Sequence, residues 1–476
     1  MIGVFATPSW AAPLFGEPRT YPVGSSPVGI AAGEFSATAG LDLVTVDEGN
    51  TLSFLTNQGS GVFVPSAPLP IADRYGPTAI ASGHLNTDGR DDLVIAANDN
   101  DTPDFSGAVV LYQSTNTALY SATAYTVGLF PTCVALAELN GDGLADVVSC
   151  GTTADGSGLI SLLRHNADNS FAGAGGVSLG AITPNRLVAG DIDGDLPSLS
   201  DLIVVDTNAN AVWILYAHSP NGFDAPVRLA NVDVPTAAVL VPLADHALPS
   251  VAVASRSTNS VLVFRQSSPR VFGSPDSYPV GLFPVDLAAA DVDGNGASDL
   301  LVANNGSNDV KVLIGDGTGA FQASENVGVG NGPVAIVVGD FNGDGKPDFA
   351  TANQDDVRFG EDTQSVSVVL NGVSPAFTPT PSPTMTASAA PTSAATLTAT
   401  ATRTATTTWT PTITRTPTAG GVTPTPTVPG DVNCDGRVTT DDLVTIIERI
   451  FDGTSGCLTE PVSAADVTRI VQLLGQ

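Results

Sequence analysis

One acidic motif returns along this chain at an almost constant step, and that step constrains the fold more than any other feature. Its clearest copy reads Gly339-Asp340-Phe341-Asn342-Gly343-Asp344-Gly345-Lys346-Pro347-Asp348-Phe349. Six earlier segments align on Asp340, starting at Glu34, His84, Glu138, Asp191, Pro242 and Asp291, so successive starts differ by 50, 54, 53, 51, 49 and 49 residues. About 50 residues is the length of one four-stranded propeller blade. Seven copies therefore predict a mainly β chain of seven blades.

The parts of each repeat recur in one order. An apolar segment such as Val334 to Val338 runs into the acidic loop, and a second such as Leu300 to Ala303 leaves it. Such uninterrupted short apolar runs suit strands buried on both faces. A third strand follows a polar turn, as at Val310 to Ile314 or Val212 to Tyr216, and then comes a turn with an aromatic: Phe63, Tyr120, Phe171, Phe223, Phe272 or Phe321. The fourth strand stops before Pro77, Pro131, Pro184, Pro235, Pro284 or Pro333, where proline breaks the ladder and resets the chain. The 49 Gly and 35 Pro in 476 residues fit so many turns.

The ends of the array fit together. Phe15 to Pro27 matches Phe321 to Pro333 in spacing, so the chain begins with the fourth strand of a blade whose first three strands lie in the last repeat, Val334 to Leu370. Pairing the ends closes a ring and removes exposed sheet edges.

The loop pattern DxDxDGxxD sets oxygen side chains at positions 1, 3, 5 and 9, a turn-forming Gly at 6 and a backbone carbonyl at 7. A hard cation such as calcium takes six to eight oxygens of this kind. Asp340, Asn342, Asp344 and Asp348, with the Lys346 carbonyl, form a complete set, as do Asp291, Asp293, Asn295 and Asp299. Asp191, Asp193 and Asp195 are present, but Leu196 replaces the Gly and two extra residues precede Asp201. Glu138, Asn140, Asp142 and Asp146 keep the pattern with a longer first side chain. His84 puts an imidazole, a poor calcium ligand, ahead of Asn86, Asp88 and Asp92, and the copies at Glu34 and Pro242 read as metal-free turns. The alternative for every copy is an Asp-Gly turn without metal.

With these residues in view, the repeats resemble the FG-GAP or VCBS family, the calcium-binding blades of integrin alpha subunits and many secreted bacterial proteins, over residues 1–373. The resemblance implies loops between the first two strands of a blade, opposite the face that commonly binds partners, and a structural calcium.

From 374 to 429 the composition changes to Thr, Pro, Ala and Ser, as in Thr378-Pro379-Thr380-Pro381, too poor in large apolar groups to offset ordering entropy. This stretch is expected as an extended linker. A compact pattern resumes over 430–476. Asp431, Asn433, Asp435, Gly436, Thr439 and Asp442 occupy positions 1, 3, 5, 6, 9 and 12 of an EF-hand-type calcium loop. Apolar stripes at Leu443, Ile446, Ile447 and Ile450, then at Val467, Ile470, Val471 and Leu474, predict two helices. The pair resembles a type I dockerin whose second loop has lost its carboxylates, and the resemblance implies a small all-α domain with one calcium and a cohesin-like partner.

Seventeen Lys and Arg against 48 Asp and Glu give a net charge of −31, which repels a phosphate backbone and excludes nucleic-acid binding. No apolar window long enough for a membrane-spanning helix escapes a Pro, an Asp or a Gly cluster. Met1 to Pro13 has no Lys or Arg and too short an apolar run to read as a signal peptide. The four cysteines fall as two local pairs, Cys133 with Cys150 and Cys434 with Cys457, a spacing that favours disulfides over a metal cluster.

Two functions follow. The first is an extracellular, non-enzymatic, monomeric binding or adhesion propeller for a glycan or protein ligand, carried on a linker with a dockerin-like attachment module. The second is a polysaccharide lyase or hydrolase on the same scaffold. HExxH and CxxC are absent, His165 and His218 fall in outer turns, and His84 and His246 lie in degenerate loops, so no enzyme is expected. Connector residues Leu129-Phe130 and Leu282-Phe283, with the loops Asn98 to Gly107 and Asn353 to Gln364, face away from the metal loops. The connector aromatics are expected to pack between blades.

Overall fold

The computed structural model describes residues 13–71, 75–86, 88–99, 107–113, 121–195, 199–218, 222–243, 248–354 and 364–372. The 374–429 linker and the 430–476 module, with Asp431, Asn433, Asp435, Thr439, Asp442 and the Cys434–Cys457 pair, lie outside these residues, as do Tyr120, Leu196, His246 and most of the two long loops.

The repeat folds as a seven-bladed propeller of antiparallel sheets. Blade 6 shows the plan: Pro284–Ala290 on the inside, then Asp299–Asn304, Asp309–Gly315 and Phe321–Gly328 outward. The inner strands of blades 1 to 5 are Pro27–Gly33, Tyr75–Gly83, Leu129–Ala137, Arg186–Gly190 and Pro235–Val241, and that of blade 7 is Pro333–Gly339. Each packs against the next, and Pro333–Gly339 returns onto Pro27–Gly33 to close the ring. Blade 7 is the expected splice: Arg19–Pro22 from the start of the chain pairs with Ser365–Val369 near its end, in the register Arg19 to Val368 through Pro22 to Ser365. Blades 4 and 5 add short hairpins, the latter formed by Gln266–Ser268 and Val271–Phe272.

Burial follows from stacking blades face to face. The second strands of blades 1, 4, 5, 6 and 7 are buried at every residue. That is why they read as continuous apolar runs rather than alternating ones. Seven apolar clusters result, one at each blade interface; Ile336, Phe349, Val302 and Val310 illustrate the interfaces between blades 5, 6 and 7. Each large buried side chain contributes about 1.5–3 kcal/mol.

Proline marks the entry to most blades. A register shift directly follows Pro27, Pro77, Pro235, Pro284 and Pro333, as expected where a missing N–H interrupts the ladder. The residue before the proline turns left-handed at Ser26, Phe130, Val234 and Phe283 (φ between 46° and 54°), a backbone region that costs a bulky residue of order 1–3 kcal/mol. Gly332 holds the corresponding place before blade 7 at φ 58° without a Cβ to strain. In blade 3, Cys133 and Cys150 face each other across adjacent strands, with Cα atoms 5.2 Å apart, and are disulfide-bonded.

Candidate functional site

The loops between first and second strands hold two tiers of acidic groups with different work. The inner tier is position 9, buried in every blade that has a carboxylate there. Asp299 accepts the Val292 N–H at one oxygen and the Gly315 N–H at the other, both at 2.7 Å. Asp348 does the same for Phe341 (2.9 Å) and Asn371 (2.7 Å), Asp201 for Ile192 (2.9 Å) and Ala217 (2.7 Å), and Asp146 for Leu139 (3.2 Å) and His165 (2.7 Å). Each carboxylate thereby ties the start of its loop to the end of the third strand. Asp42 makes the equivalent pair of bonds, with Ser36 and Asn57, and Asp92 accepts from Leu85 N–H at 2.9 Å. Blade 5 has only Ser250 here, whose hydroxyl accepts the Gln266 N–H at 3.3 Å.

Position 9 was expected only as a metal ligand, so its role as a backbone clamp is a finding. The signal was present: Asp42 persists in a copy read as a metal-free turn, and Asp92 in a copy whose first ligand is replaced by His84. Burial raises the Asp348 carboxyl to about 6 against the opposing backbone donors Asn371 and Phe341, and repulsion from Asp344 and Asp340 adds to the rise. Burial likewise raises Asp299 and Asp146, with Asp293 and Asp142 contributing.

The outer tier is positions 1, 3 and 5. Asp291 is wrapped by backbone donors, accepting from Gly294 and Gly296 N–H at 2.8 Å, while Asp293 accepts from Asn295 N–H at 3.0 Å and Asn295 Oδ1 from Ala297 N–H at 2.7 Å. Asp340 repeats this with Gly343 (2.7 Å) and Gly345 (2.8 Å), and Glu138 with Gly141 and Gly143 (both 2.7 Å). The paired left-handed glycines, φ 77° and 83° in loop 7, let the amides turn inward.

Among the described residues, two acidic groups bring one oxygen from each member within 4.8 Å of the others: Asp291, Asp293 and Asp299, and Asp191, Asp193 and Asp195. These clusters can hold a metal ion. Loop 7 has the complete sequence set but is not among them; Asn342 lies across its mouth, donating through Nδ2 to Asp344 at 3.2 Å. Asn140 and Asp142 of loop 3 accept the amides of Asp142 (2.9 Å) and Leu144 (2.8 Å), as Asp293 and Asn295 do in loop 6. In loop 6 the donors are hard oxygens around an uncompensated buried carboxylate, which fits a hard divalent cation. In loop 4 a guanidinium has already entered: Arg270 Nε lies 2.6 Å from Asp193 Oδ2. His84 is a donor rather than a ligand, its Nδ1 lying 2.9 Å from the Arg90 carbonyl oxygen, and that hydrogen bond raises its pKa.

At the other end of the inner strands, the connectors differ from expectation. Phe130, Phe283 and Leu282 are 46%, 47% and 53% exposed, so they do not pack between blades. Phe130 and Phe283 lie in the left-handed turn directly before proline. The Arg256 guanidinium lies 5.2 Å from the centre of the Phe283 ring. His165 also departs from the outer turn expected for it: it ends a strand, is buried, and stacks on Phe171 at 4.5 Å. A cavity of about 180 Å³ is lined by the inner strands, including Ile80, Val134 and Val188, with Arg186 and Asp286 its two charged groups. Asp286 accepts the N–H of Leu287 and of Ile336 at 3.0 Å, and burial raises its pKa against the opposing pull of Arg186.

Residues 291–351 match the FG-GAP-like repeat model, the segment spanning loops 6 and 7. No curated protein sequence matches the chain. Among solved structures it is similar to BBS1N in complex with ARL6DN soaked with lead, at 14% identity and a TM-score of 0.53, covering 75% of this chain and 97% of that one. The same complex soaked with mercury gives 15% identity and a TM-score of 0.51 over the same shares. At such identities the likeness is one of fold alone. Among the described residues no helix is long and apolar enough to cross a membrane.

Proposed function

We propose that this protein is an extracellular, non-enzymatic binding module: a propeller braced by calcium on one face that offers the opposite face to a glycan or protein ligand. The observation that carries the reading is the pair Phe130 and Phe283, half-exposed and held at φ 47° and 53°. Bulky residues in this backbone region persist where surrounding structure enforces them, and such strain clusters at ligand sites. Aromatic and aliphatic groups held outward supply stacking and desolvation rather than proton transfer, which favours binding over catalysis.

Calcium would sit in loop 6 among Asp291, Asp293, Asn295 and Asp299, in loop 7 among Asp340, Asn342, Asp344, the Lys346 carbonyl and Asp348, and in loop 3 among Glu138, Asn140, Asp142 and Asp146. There it would neutralise the carboxylates of each loop and fix the loop; no reaction is assigned to it. The Cys133–Cys150 bridge supports an oxidising, extracellular setting. The dockerin-like module, with calcium at Asp431, Asn433, Asp435, Thr439 and Asp442, would attach the propeller to a cohesin-like partner.

The test is a glycan array and a protein pull-down with the full chain in calcium, repeated with Phe130→Ala and Phe283→Ala. Each substitution is expected to weaken retention by about tenfold, the loss of one aromatic contact. Undiminished binding by both variants, or cleavage of a retained glycan, would sink the proposal.

A further inference from the structure

We propose that Arg270 is the resident cation of loop 4: its guanidinium takes the place of a metal ion, so blade 4 closes its acidic loop without calcium. This rests on the reading of loop 6 as a calcium site, against which loop 4 is the contrast. Three carboxylates converge in loop 4 as three do in loop 6. Arg270 stands at the tip of the extra hairpin of blade 5, between Gln266–Ser268 and Val271–Phe272, in the left-handed region at φ 64°. From there it reaches back across the blade boundary.

Its Nε donates to Asp193 Oδ2 at 2.6 Å and its Nη1 to Asp224 Oδ2 at 2.8 Å, while the guanidinium lies 4.2 Å from the centre of the Tyr216 ring. Two carboxylates and an aromatic face form a receptor suited to a planar, weakly hydrated cation and poorly suited to a spherical ion. Asp193 is consequently 6% exposed, whereas Asp293, at the same loop position in blade 6, is exposed. Both oxygens of Asp193 also have donors, since Oδ1 accepts the Asp195 N–H at 3.2 Å.

The sequence departs from the metal pattern at the same place. Loops 6 and 7 carry two left-handed glycines each, Gly294 and Gly296 or Gly343 and Gly345. Loop 4 has Gly194, with Leu196 where the second would stand and two extra residues before Asp201. A loop sequence that has drifted from the metal pattern and an arginine seated on the position-3 carboxylate are two independent marks of one substitution, and the three carboxylates that remain could take an ion once the arginine is gone.

The experiment uses the full chain and the variants Arg270→Gln, Asp193→Asn and both together. In EDTA each single substitution should lower Tm by about 2 °C, and the double variant should fall no further than the worse single, because the two residues share one interaction. In calcium titrations by calorimetry, the natural protein and Asp193→Asn should bind the same number of ions, and Arg270→Gln one more. Additive melts, loss of an ion in Asp193→Asn, or an unchanged count in Arg270→Gln while loop 6 is loaded would each overturn the assignment. If neither the natural chain nor Arg270→Gln binds calcium, the metal reading of loop 6 fails and the EDTA cycle alone decides the role of Arg270.

Discussion

Blades 2 and 6 share one strand plan and differ in the chemistry of their loops. In blade 6, Asp291 and Asp293 converge with Asp299 to a common centre. In blade 2 an imidazole, His84, bonded to the Arg90 carbonyl, stands in place of the first carboxylate, while Asn86 and Asp88 accept the amides of Asp88 (2.8 Å) and Arg90 (2.9 Å) just as Asp293 and Asn295 accept those of Asn295 (3.0 Å) and Ala297 (2.7 Å). Yet Asp92 takes the Leu85 amide just as Asp299 takes that of Val292. The difference teaches that folding and metal binding belong to different oxygens of one motif. The inner aspartate closes the loop in both blades; the outer residues gather charge only in some.

The largest effect should come from removing an inner aspartate. Asp299→Ala strands the Val292 and Gly315 amides in a buried corner, at about 1–3 kcal/mol each. Asp293→Ala removes an exposed group and should stay within about 0.5 kcal/mol in EDTA. Denaturant melts of both variants without calcium check the contrast. Equal losses would break the division into tiers.

Calcium should reverse that ranking for the outer tier. Binding to the folded loop alone stabilises by about 2.7 kcal/mol per site at a hundredfold excess over Kd. Asp293→Asn should therefore erase one site's share of the calcium-dependent rise in Tm and lower the stoichiometry by one. Asp88→Asn in blade 2 should leave both unchanged. A lost ion in the Asp88 variant would show that blade 2 is loaded after all.

The architecture was legible because it depends on repetition and on strands buried on both faces, which leave apolar runs and periodic prolines in the sequence. The closure of blade 7 followed from one matched spacing, Phe15 to Pro27 against Phe321 to Pro333. The site was legible only in part. Acidic spacing marks which oxygens are near one another, but not which of them backbone amides will claim, and that depends on where Gly315 or Asn371 arrives from the third strand. Arg270 lies 77 residues from Asp193, and no local pattern joins them. The exposure of Phe130 and Phe283, at a left-handed backbone, is not revealed by a residue's apolar character.

The smallest effect, and the one that separates the tiers without deleting either, is pH. Asp348 in loop 7 and Asp201 in loop 4 are pushed up to about 6, above the value near 4 of an unfolded chain. Raised carboxylates favour the protonated folded state, so their stabilising share is complete below about pH 4 and is lost as pH rises through 6. Without metal, Tm should therefore climb between pH 7 and pH 5. Relief of the overall charge of −31 adds to the same trend, so Asp348→Asn supplies the control and should flatten part of the slope. Calcium in loop 7 holds Asp348 ionised and should flatten the same part, while the share from Asp201, in a loop closed by Arg270, should persist. A slope in EDTA that Asp348→Asn leaves untouched would mean that the inner aspartate is not under the strain its burial implies.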